Sequence, residues 1–316
     1  MDLTPYIKEV GRGRDGARDL GATEAAEIFG AVLDGKVSDL HLGALLIGLR
    51  VKGEAAGELQ GFAAAIEARY ERMASLPDGR FPVVLPSYNG ARHMPNLVPL
   101  LALLLAKAGV PVLIHGVMRD PKRVTTAEIL AALGTEPSQS VAEARAALLR
   151  DGIAFLPIEC LHPKLARLLG FRDLLGVRNS AHTLAKTLDP IDGPSLRLVS
   201  VTHPEYLARM REFFAHRGGN ALLLRGTEGE VVANAKRQPQ IEFLRGAEAE
   251  VVVEADDGVL GEVPDLPTAR DAQTTADWTT AALSGSVAVP TPIERQVSAC
   301  VEALATMRAT TTKKRR

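Results

Sequence analysis

Cysteine is scarce in this sequence, which has only Cys160 and Cys300 among its 316 residues. Neither has a neighbouring cysteine or an HxxxH pattern at metal-binding spacing, so the sequence suggests neither a disulfide framework nor a zinc site. With 46% hydrophobic residues, a chain of this length can bury one large core or two cores of unequal size. A disordered chain is therefore excluded.

Long hydrophobic runs are absent as well. The longest run, Leu97–Ala106, ends at Lys107 and supplies about half of the roughly 20 residues that a membrane span needs. We interpret this run as a buried helix. The N-terminus carries charged residues where a secretory signal would need an apolar stretch and a cleavage site. The sequence therefore predicts a cytoplasmic protein without a membrane partner.

An excess of charge of one sign is also lacking, because 37 basic and 38 acidic residues leave a net charge of −1. This balance argues against a polyanionic partner, but the charges are unevenly placed. Residues 89–127 and 162–188 each include five basic residues and one acid, whereas residues 247–269 include seven acids and no basic residue. The pattern predicts a protein with two electrostatic faces.

The first 75 residues carry helical patterns. Thr23 and Ser38 are candidate N-caps of two helices, and a third helix is predicted from about Ala55 to Met73. No strand pattern precedes Pro77. Residues 1–75 are therefore predicted to form a small helical domain.

Beyond Pro77, short apolar runs of β type alternate with helical stretches. Such alternation predicts an α/β fold with a mainly parallel sheet. Five strands are predicted, over residues 81–86, 110–115, 153–157, 196–201 and 221–224. A peripheral strand at Val251–Val253 and a loop at Val263–Pro267 are predicted to follow. We assign residues 76–316 to a larger α/β domain, and expect helices from about 160–185 to join the helical domain.

Three stretches of the chain resemble the anthranilate phosphoribosyltransferase family. Residues 22–62 resemble its helical opening, down to the RxKGE pattern at Arg50–Glu54. Leu175–Ser180 resembles its LGxRT stretch, and residues 203–230 resemble the helix, strand and acidic loop near its metal site. The resemblance spans about residues 4–245. It implies a small helical domain beside a larger α/β domain, a homodimer, and a cleft that in the enzymes binds phosphoribosyl diphosphate.

The phosphate-binding loop departs from this family. The enzymes place GTGGD after the first strand, so that bare backbone amides approach a diphosphate closely. This chain has Ser87, Tyr88, Asn89 and Gly90 at that place, with Arg92 shortly after. Only one glycine remains, and side-chain bulk is predicted to block the close approach of the backbone. Transferase activity is correspondingly disfavoured.

The other enzyme motifs are retained only in part. Of the family's KHGNR motif, His115 and Gly116 remain while the lysine is lost. The metal-binding Asp-Glu pair is replaced by Glu228 and Glu230, whose spacing supports magnesium coordination weakly. We assign no catalytic residue and no cofactor, and expect His115 to be a structural histidine. The alternative is a phosphoribosyltransferase that uses phosphoribosyl diphosphate and Mg²⁺ with an altered loop, in which Glu228 and Glu230 bind the metal.

One branch of the family shares these substitutions. The strings PSYNGAR, LGVRNSAHTLAK and GTEGEVVANAKRQPQI closely resemble the YbiB branch of TrpD-like proteins. Members of that branch are understood as nucleic-acid-binding dimers that keep the transferase scaffold without its activity, and the resemblance implies the same for this chain. Single strands would fit such a cleft most easily. Because aromatic residues make up only 4% of the chain, little base stacking and no sequence-specific readout are expected, with Tyr88 the best placed ring.

Basic side chains are predicted to bind the phosphodiester backbone, because they reach farther than backbone amides do. Arg92, Lys122 and Arg123 follow strands, at the edge where open α/β sheets bind ligands. At every basic position, a solvated or ion-paired side chain is the alternative explanation. The predicted nucleic-acid-binding residues are Arg92, Arg119, Lys122, Arg123, Lys164, Arg167, Arg178, Lys186 and Arg209.

Overall fold

The computed structural model describes residues 1–13, 15–259, 261 and 264–314. The chain divides into two compact units. The first unit comprises Met1–Glu71 and Ile158–Leu188, and the second comprises Arg72–Pro157 and Asp189–Arg316. Within the described ranges, no helix combines the length and the apolar character that crossing a membrane requires.

Helices and strands are numbered along the described residues. The α-helices are α1 Thr4–Val10, α2 Ala22–Leu33, α3 Asp39–Lys52, α4 Ala56–Glu67, α5 Val98–Lys107, α6 Thr126–Ala132, α7 Val141–Asp151, α8 Ile158–Leu161, α9 Pro163–Leu175, α10 Ala181–Leu184, α11 Glu205–Arg217, α12 Ala272–Ser284 and α13 Thr291–Lys314. The strands are β1 Met73–Ala74, β2 Val83–Ser87, β3 Val112–Gly116, β4 Ile153–Pro157, β5 Ile191–Asp192, β6 Leu196–Val201, β7 Asn220–Arg225, β8 Ile241–Arg245 and β9 Glu248–Val253. In the described residues, every strand belongs to the second unit.

The first unit is a helical bundle with its own apolar core. Its tightest packing joins α2 to α4, where the rings of Phe29 and Phe62 stack with their centres 4.7 Å apart. Both rings are buried. Burial of each side chain stabilises the unit by roughly 1.5–3 kcal/mol.

The ends of two helices in this unit test the predicted caps. Ser38 caps α3 as predicted, since its hydroxyl accepts a hydrogen bond from the His41 amide at 3.4 Å. The prediction for Thr23 is wrong, because α2 begins at Ala22 and Gly21, two residues before Thr23, occupies the N-cap position. The carboxylate of Glu24 accepts from the Gly21 amide at 3.1 Å and satisfies this helix end from the third position of the helix.

The RxKGE stretch has a structural role in the first unit. The Lys52 ammonium lies 2.6 Å from a carboxylate oxygen of Asp19 and 2.7 Å from one of Glu58, which is fully buried. Glu54 accepts a hydrogen bond from the Ser180 hydroxyl at 2.6 Å. These contacts connect α3 to α4 and to the start of α10, so the stretch stabilises the bundle itself.

The second unit is built on a sheet whose described strands follow the order β4-β3-β2-β6-β7-β8-β9. Neighbouring strands are parallel from β4 to β7, and β8 and β9 are antiparallel to their neighbours. This confirms the predicted α/β fold with a mainly parallel sheet. The carboxyl ends of the parallel strands meet at one edge, which brings together the loops after β2, β3, β6 and β7.

The five predicted strands are confirmed, and β4 and β6 have the predicted bounds. The prediction that no strand precedes Pro77 is wrong, because Met73 pairs with Ile191 in the short parallel β1–β5 pair. The sequence patterns also miss β8, α12 and α13. Of the predicted loop at Val263–Pro267, Val263 lies outside the described residues, and the remainder contains neither helix nor strand.

Two helices fix the loops at this edge of the sheet. The apolar run Leu97–Ala106 forms the buried helix α5 as predicted, with Leu101 and Leu105 fully buried. α6 begins with a capping box, in which the Thr125 hydroxyl accepts from the Glu128 amide and the Glu128 carboxylate accepts from the Thr125 amide. The capping box therefore fixes the position at which the loop after β3 joins α6.

Candidate functional site

In the loop after β2, residues 88–94, backbone amides point to two glutamate carboxylates. We call this segment the capped loop. Asn89 and Gly90 each donate to Oε1 of Glu230 at 2.7 Å. Glu230 is buried and comes from the segment after β7. Hydrogen bonds to a carboxylate are about twice as strong as neutral ones, so this contact fixes the first half of the loop.

Glu228 caps the second half of the loop. Its carboxylate accepts hydrogen bonds from three consecutive amides, those of Arg92 at 3.2 Å and of His93 and Met94 at 2.8 Å each. Burial acts to raise the pKa of Glu228, but the hydrogen bonds from these amides outweigh it and hold the pKa below its ordinary value. Among the described residues, Glu228 is the one non-glycine residue with a positive φ, at +52°. Backbone strain of this kind persists only where surrounding contacts compensate for it.

The loop after β3 pairs with the capped loop. Ala91 and Val124 form an antiparallel bridge with N–O distances of 3.0 and 2.9 Å. Gly90 has a φ of +60°, and a Cβ there would lie 2.7 Å from the Val124 carbonyl oxygen, so glycine is required. Arg123 joins the two loops, because it donates to the Gly90 carbonyl at 3.2 Å and lies 3.6 Å from the Glu228 carboxylate.

Four of the predicted basic residues come together on these two loops. Arg92, Arg119 and Lys122 are exposed, while the side chain of Arg123 is only 13% exposed. The bridge between the loops places Arg92 and Arg123 opposite each other. Arg270, which no sequence pattern singled out, donates to the Arg92 carbonyl at 3.0 Å. We call this group the basic rim; it consists of Arg92, Arg119, Lys122, Arg123 and Arg270.

Two other predicted basic residues make local contacts elsewhere. Arg209 lies on α11 rather than on the two loops, with its guanidinium carbon 5.1 Å from the centre of the Tyr206 ring. Lys164, in the first unit, donates to Asp34 at 2.6 Å, and Arg69 binds the same carboxylate. Hydrogen bonds from Arg69 and Lys164 hold the pKa of Asp34 well below its ordinary value. The ion-paired explanation therefore applies to Lys164.

The remaining predicted basic residues lie around α9 and α10 of the first unit. Arg167 is exposed on α9, 5.4 Å from the centre of the Phe171 ring. Arg178 and Lys186 flank α10 and are partly buried. Between them, burial and then the nearby Arg178 lower the pKa of His182 to about 3. These residues form a second basic region, in a different unit from the basic rim.

Tyr88 is directed into the protein. It is 5% exposed, and its hydroxyl lies 2.6 Å from Nδ1 of His115, so the prediction that this ring is available for base stacking is wrong. His115 is fully buried, and burial lowers its pKa to about 3, which leaves the ring neutral at pH 7. The adjacent Gly116 permits a close approach of β2 and β3, because a Cβ there would lie 1.8 Å from the Ser87 carbonyl oxygen. His115 and Gly116 thus have structural roles at the β2–β3 contact.

The backbone amides of the capped loop are occupied by carboxylates and are not covered by the predicted side-chain bulk. The side chains of Ser87 and Asn89 bond inward, to the Thr126 hydroxyl and the Glu228 carbonyl. The backbone amides of the loop do converge as an anion site would require. They are occupied because they already donate to the carboxylates of Glu228 and Glu230.

Glu228 and Glu230 do not fit the role of metal ligands. Each carboxylate faces a different set of amides. Oε2 of Glu230 is buried and has no hydrogen-bond partner in the described residues, so it offers a metal one buried oxygen and no second carboxylate beside it. Over the same residues, no group of three or more His, Cys, Asp or Glu side chains could hold a metal ion.

Comparison with known sequences places the chain among its relatives. Residues 4–69 match the helical bundle domain of a glycosyl transferase family. The chain is 44% identical to YbiB of Escherichia coli over 304 residues, which cover 96% of this chain and 94% of YbiB. It is 33% identical to anthranilate phosphoribosyltransferase of Desulforudis audaxviator over 185 residues, which cover 58% of this chain and about half, 53%, of that enzyme.

Solved structures of anthranilate phosphoribosyltransferases share the fold. The Thermus thermophilus enzyme superposes with a TM-score of 0.69 at 24% identity, over 94% of this chain and 87% of the enzyme. The Saccharomyces cerevisiae enzyme, solved in complex with phosphoribosyl diphosphate and Mg, gives a TM-score of 0.71 at 14% identity, over 96% and 88%. At these identities the likeness shows the fold alone. Since the 44% identity to YbiB extends over nearly the whole of both chains, the protein belongs to the YbiB family, which has the anthranilate phosphoribosyltransferase fold.

Proposed function

We propose that the protein binds nucleic acid, single strands above all and without sequence preference, and that it has no catalytic activity of its own. The capped loop is the observation that carries this proposal. Its amides donate to Glu228 and Glu230, so the chain's own carboxylates fill the positions that a diphosphate would need. A phosphate brought to these amides would also meet two like charges at short range.

Exposed basic side chains supply the attraction for a polyanion instead. Three of them lie on the two loops at the carboxyl edge of the sheet: Arg92, Arg119 and Lys122. The fourth is Arg270, which contacts the Arg92 carbonyl and is also exposed. Long side chains of this type follow a phosphodiester backbone regardless of its sequence. Because Tyr88 is buried, base stacking on this loop contributes little, which fits binding without sequence preference.

A phosphoribosyltransferase is the second candidate. The observation in its favour is the fold shared with the yeast enzyme solved with phosphoribosyl diphosphate and Mg. In this chain, Glu228 and Glu230 would have to release the capped loop before its amides could donate hydrogen bonds to a diphosphate. This candidate predicts magnesium-dependent binding of phosphoribosyl diphosphate.

Two titrations separate the candidates. Nucleic-acid binding predicts that an unstructured oligonucleotide binds with a log affinity that falls with log salt at a slope of about −3, if about four phosphates are neutralised. Calorimetry with phosphoribosyl diphosphate and Mg²⁺ is expected to give no heat. Heat with that ligand, together with no oligonucleotide binding at low salt, would overturn the proposal in favour of the transferase.

We also propose that the protein forms a homodimer through α3. Leu40, Ala44, Ile47 and Val51 are exposed along this helix at spacings of four, three and four residues, the repeat with which two helices pack. Leu40 is 81% exposed and Val51 is 62% exposed. A second copy is a suitable occupant, since a two-fold axis brings one apolar stripe onto the same stripe of its partner. Sedimentation is expected to show a dimer for the native chain and a monomer for Ile47→Lys, and a monomeric native chain would refute the proposal.

A further inference from the structure

A cavity of about 450 Å³ lies at the carboxyl ends of β6 and β7, within the second unit. Glu228 forms part of its wall, so the cavity adjoins the capped loop. The other polar residues of the wall include Thr202, Arg225, Asn234, Arg237, Gln238 and Gln240. Ligand pockets have volumes of roughly 300–1,000 Å³, so a ligand of mononucleotide size fits this one.

Each acid in the cavity wall is paired with a guanidinium group of the protein itself. Glu228 lies 3.6 Å from the Arg123 guanidinium, and Glu242 binds the Arg211 guanidinium through two hydrogen bonds of 2.6 Å each. Arg225 and Arg237, by contrast, are exposed and have no carboxylate within ion-pair distance in the described part of the chain. The cavity therefore carries uncompensated positive charge, which favours an anionic ligand.

The carboxamides beside these arginines are fixed in place. Asn234 accepts a hydrogen bond from the Lys236 amide at 2.9 Å, and Gln238 donates to the Pro239 carbonyl at 2.8 Å. A carboxamide offers a donor and an acceptor in one plane, the arrangement that recognises the edge of a nucleobase. A bare inorganic anion would leave these groups unused, so the wall suits a ligand with both a phosphate and a heterocycle.

We propose that this cavity binds a phosphorylated nucleoside, with the phosphate on Arg225 and Arg237 and the base against the carboxamides of Asn234 and Gln238. The planar fork of an arginine matches a phosphate group and binds it through paired hydrogen bonds. The ligand is either a free mononucleotide or the phosphorylated end of a bound strand. The inference deepens the proposed function and, for the second source, rests on it.

Calorimetric titration of the full chain with adenosine and uridine 5′-monophosphates tests the site, with adenosine and inorganic phosphate as partial ligands. Arg237→Gln is expected to lower mononucleotide affinity by about tenfold or more, because it removes a charged partner of the phosphate. Arg225→Gln provides a second variant with the same expectation. Lys236→Gln is the matched control, since this exposed neighbour carries the same charge but does not line the cavity; a change of less than about threefold is expected.

The native chain must bind the mononucleotides more tightly than either partial ligand, and failure to do so overturns the proposal. An equal loss of affinity in Arg237→Gln and Lys236→Gln also overturns it, because binding would then depend on diffuse charge alone. Oligonucleotides with and without a 5′-phosphate identify the source of the ligand. Tighter binding of the phosphorylated strand, abolished in Arg237→Gln, assigns the cavity to a strand end, whereas equal binding of both strands assigns it to free mononucleotides.

The proposed function is judged separately from the cavity. Salt-dependent oligonucleotide binding without any mononucleotide binding would refute the cavity proposal and leave the proposed function standing. Mononucleotide binding without oligonucleotide binding would refute the proposed function and leave the cavity standing as a site for free mononucleotides.

Discussion

Replacing Glu228 by alanine removes the cap from three consecutive amides and releases Arg123 at the same time. The amides of Arg92, His93 and Met94 lose their acceptor, although water can replace it because the Glu228 side chain is 14% exposed. At roughly 0.5–1.5 kcal/mol for each net hydrogen bond, we expect the free energy of unfolding to fall by about 2 kcal/mol. In a unit of this size, that loss lowers the melting temperature by about 4–8 °C.

The same substitution is expected to strengthen nucleic-acid binding. The freed amides and the Arg123 guanidinium form a site for one additional phosphate of the strand. On a single strand, each neutralised phosphate steepens the slope of log affinity against log salt by about 0.7, so a slope of about −3 should become about −3.7. One charge-assisted contact of roughly 1.4 kcal/mol corresponds to an affinity gain of about tenfold at low salt.

Fluorescence anisotropy of a labelled oligonucleotide over a salt series measures both changes. Glu302→Ala is the matched control, because it removes the same charge from an exposed position on α13. Glu228→Gly separates backbone strain from capping, since glycine tolerates the φ of +52° and should be more stable than the alanine variant by about 1 kcal/mol. A folded Glu228→Ala variant with unchanged affinity and slope would refute the idea that Glu228 occupies an anion position.

Arg92, Glu230 and His115 offer three further tests. Arg92→Glu is expected to weaken oligonucleotide binding and flatten the salt slope by about 0.7 or more without lowering the melting temperature, and an equal loss of stability would assign Arg92 a structural role. Glu230→Ala leaves two buried amides without an acceptor, so urea unfolding should show a loss of about 2–4 kcal/mol, and a loss below about 1 kcal/mol would contradict the assigned contacts. His115 has a pKa of about 3 in the folded protein, below its ordinary value of about 6.5, so the unfolded state binds the proton first and stability should fall as the pH drops from about 6.5 towards 3. His115→Gln should flatten this pH dependence of the melting temperature, and an unchanged dependence would show that the buried ring is not its source.

The strands that the sequence predicts best are those buried on both faces. β4 has its predicted bounds because such a strand is a nearly continuous apolar run, and β6 has them because four of its six residues are apolar although Arg197 and Ser200 interrupt the run. β8 is missed because it is shorter, with three apolar residues interrupted by Glu242, and the Arg211 that binds this carboxylate lies on another element, 31 residues away. α12 is missed because threonines disfavour helices; in the structure, the hydroxyls of Thr275 and Thr279 bond to carbonyls four residues earlier.

Only some of the basic residues near the capped loop can be identified from their position in the sequence. Arg225 directly follows a predicted strand, so the strand-end rule that selected Arg92 could have selected it as well. Arg270 carries no such signal. Its contact with the Arg92 carbonyl joins residues 178 positions apart, and only the folded second unit brings them together.

The joint role of Glu228 and Glu230 could not be predicted, because it depends on the order of strands in the sheet. β2 and β7 are separated in the sheet by β6 and in the chain by more than a hundred residues, yet their following loops meet at one edge. From sequence, the altered loop and the altered acidic pair are two independent departures from the enzymes. In the folded unit they form one feature, because the two carboxylates accept hydrogen bonds from the amides that a phosphate would need. Occupying these amides therefore requires no side-chain bulk over the loop, and Arg92, Arg119, Lys122 and Arg270 of the basic rim remain exposed beside it, where the proposed strand would bind.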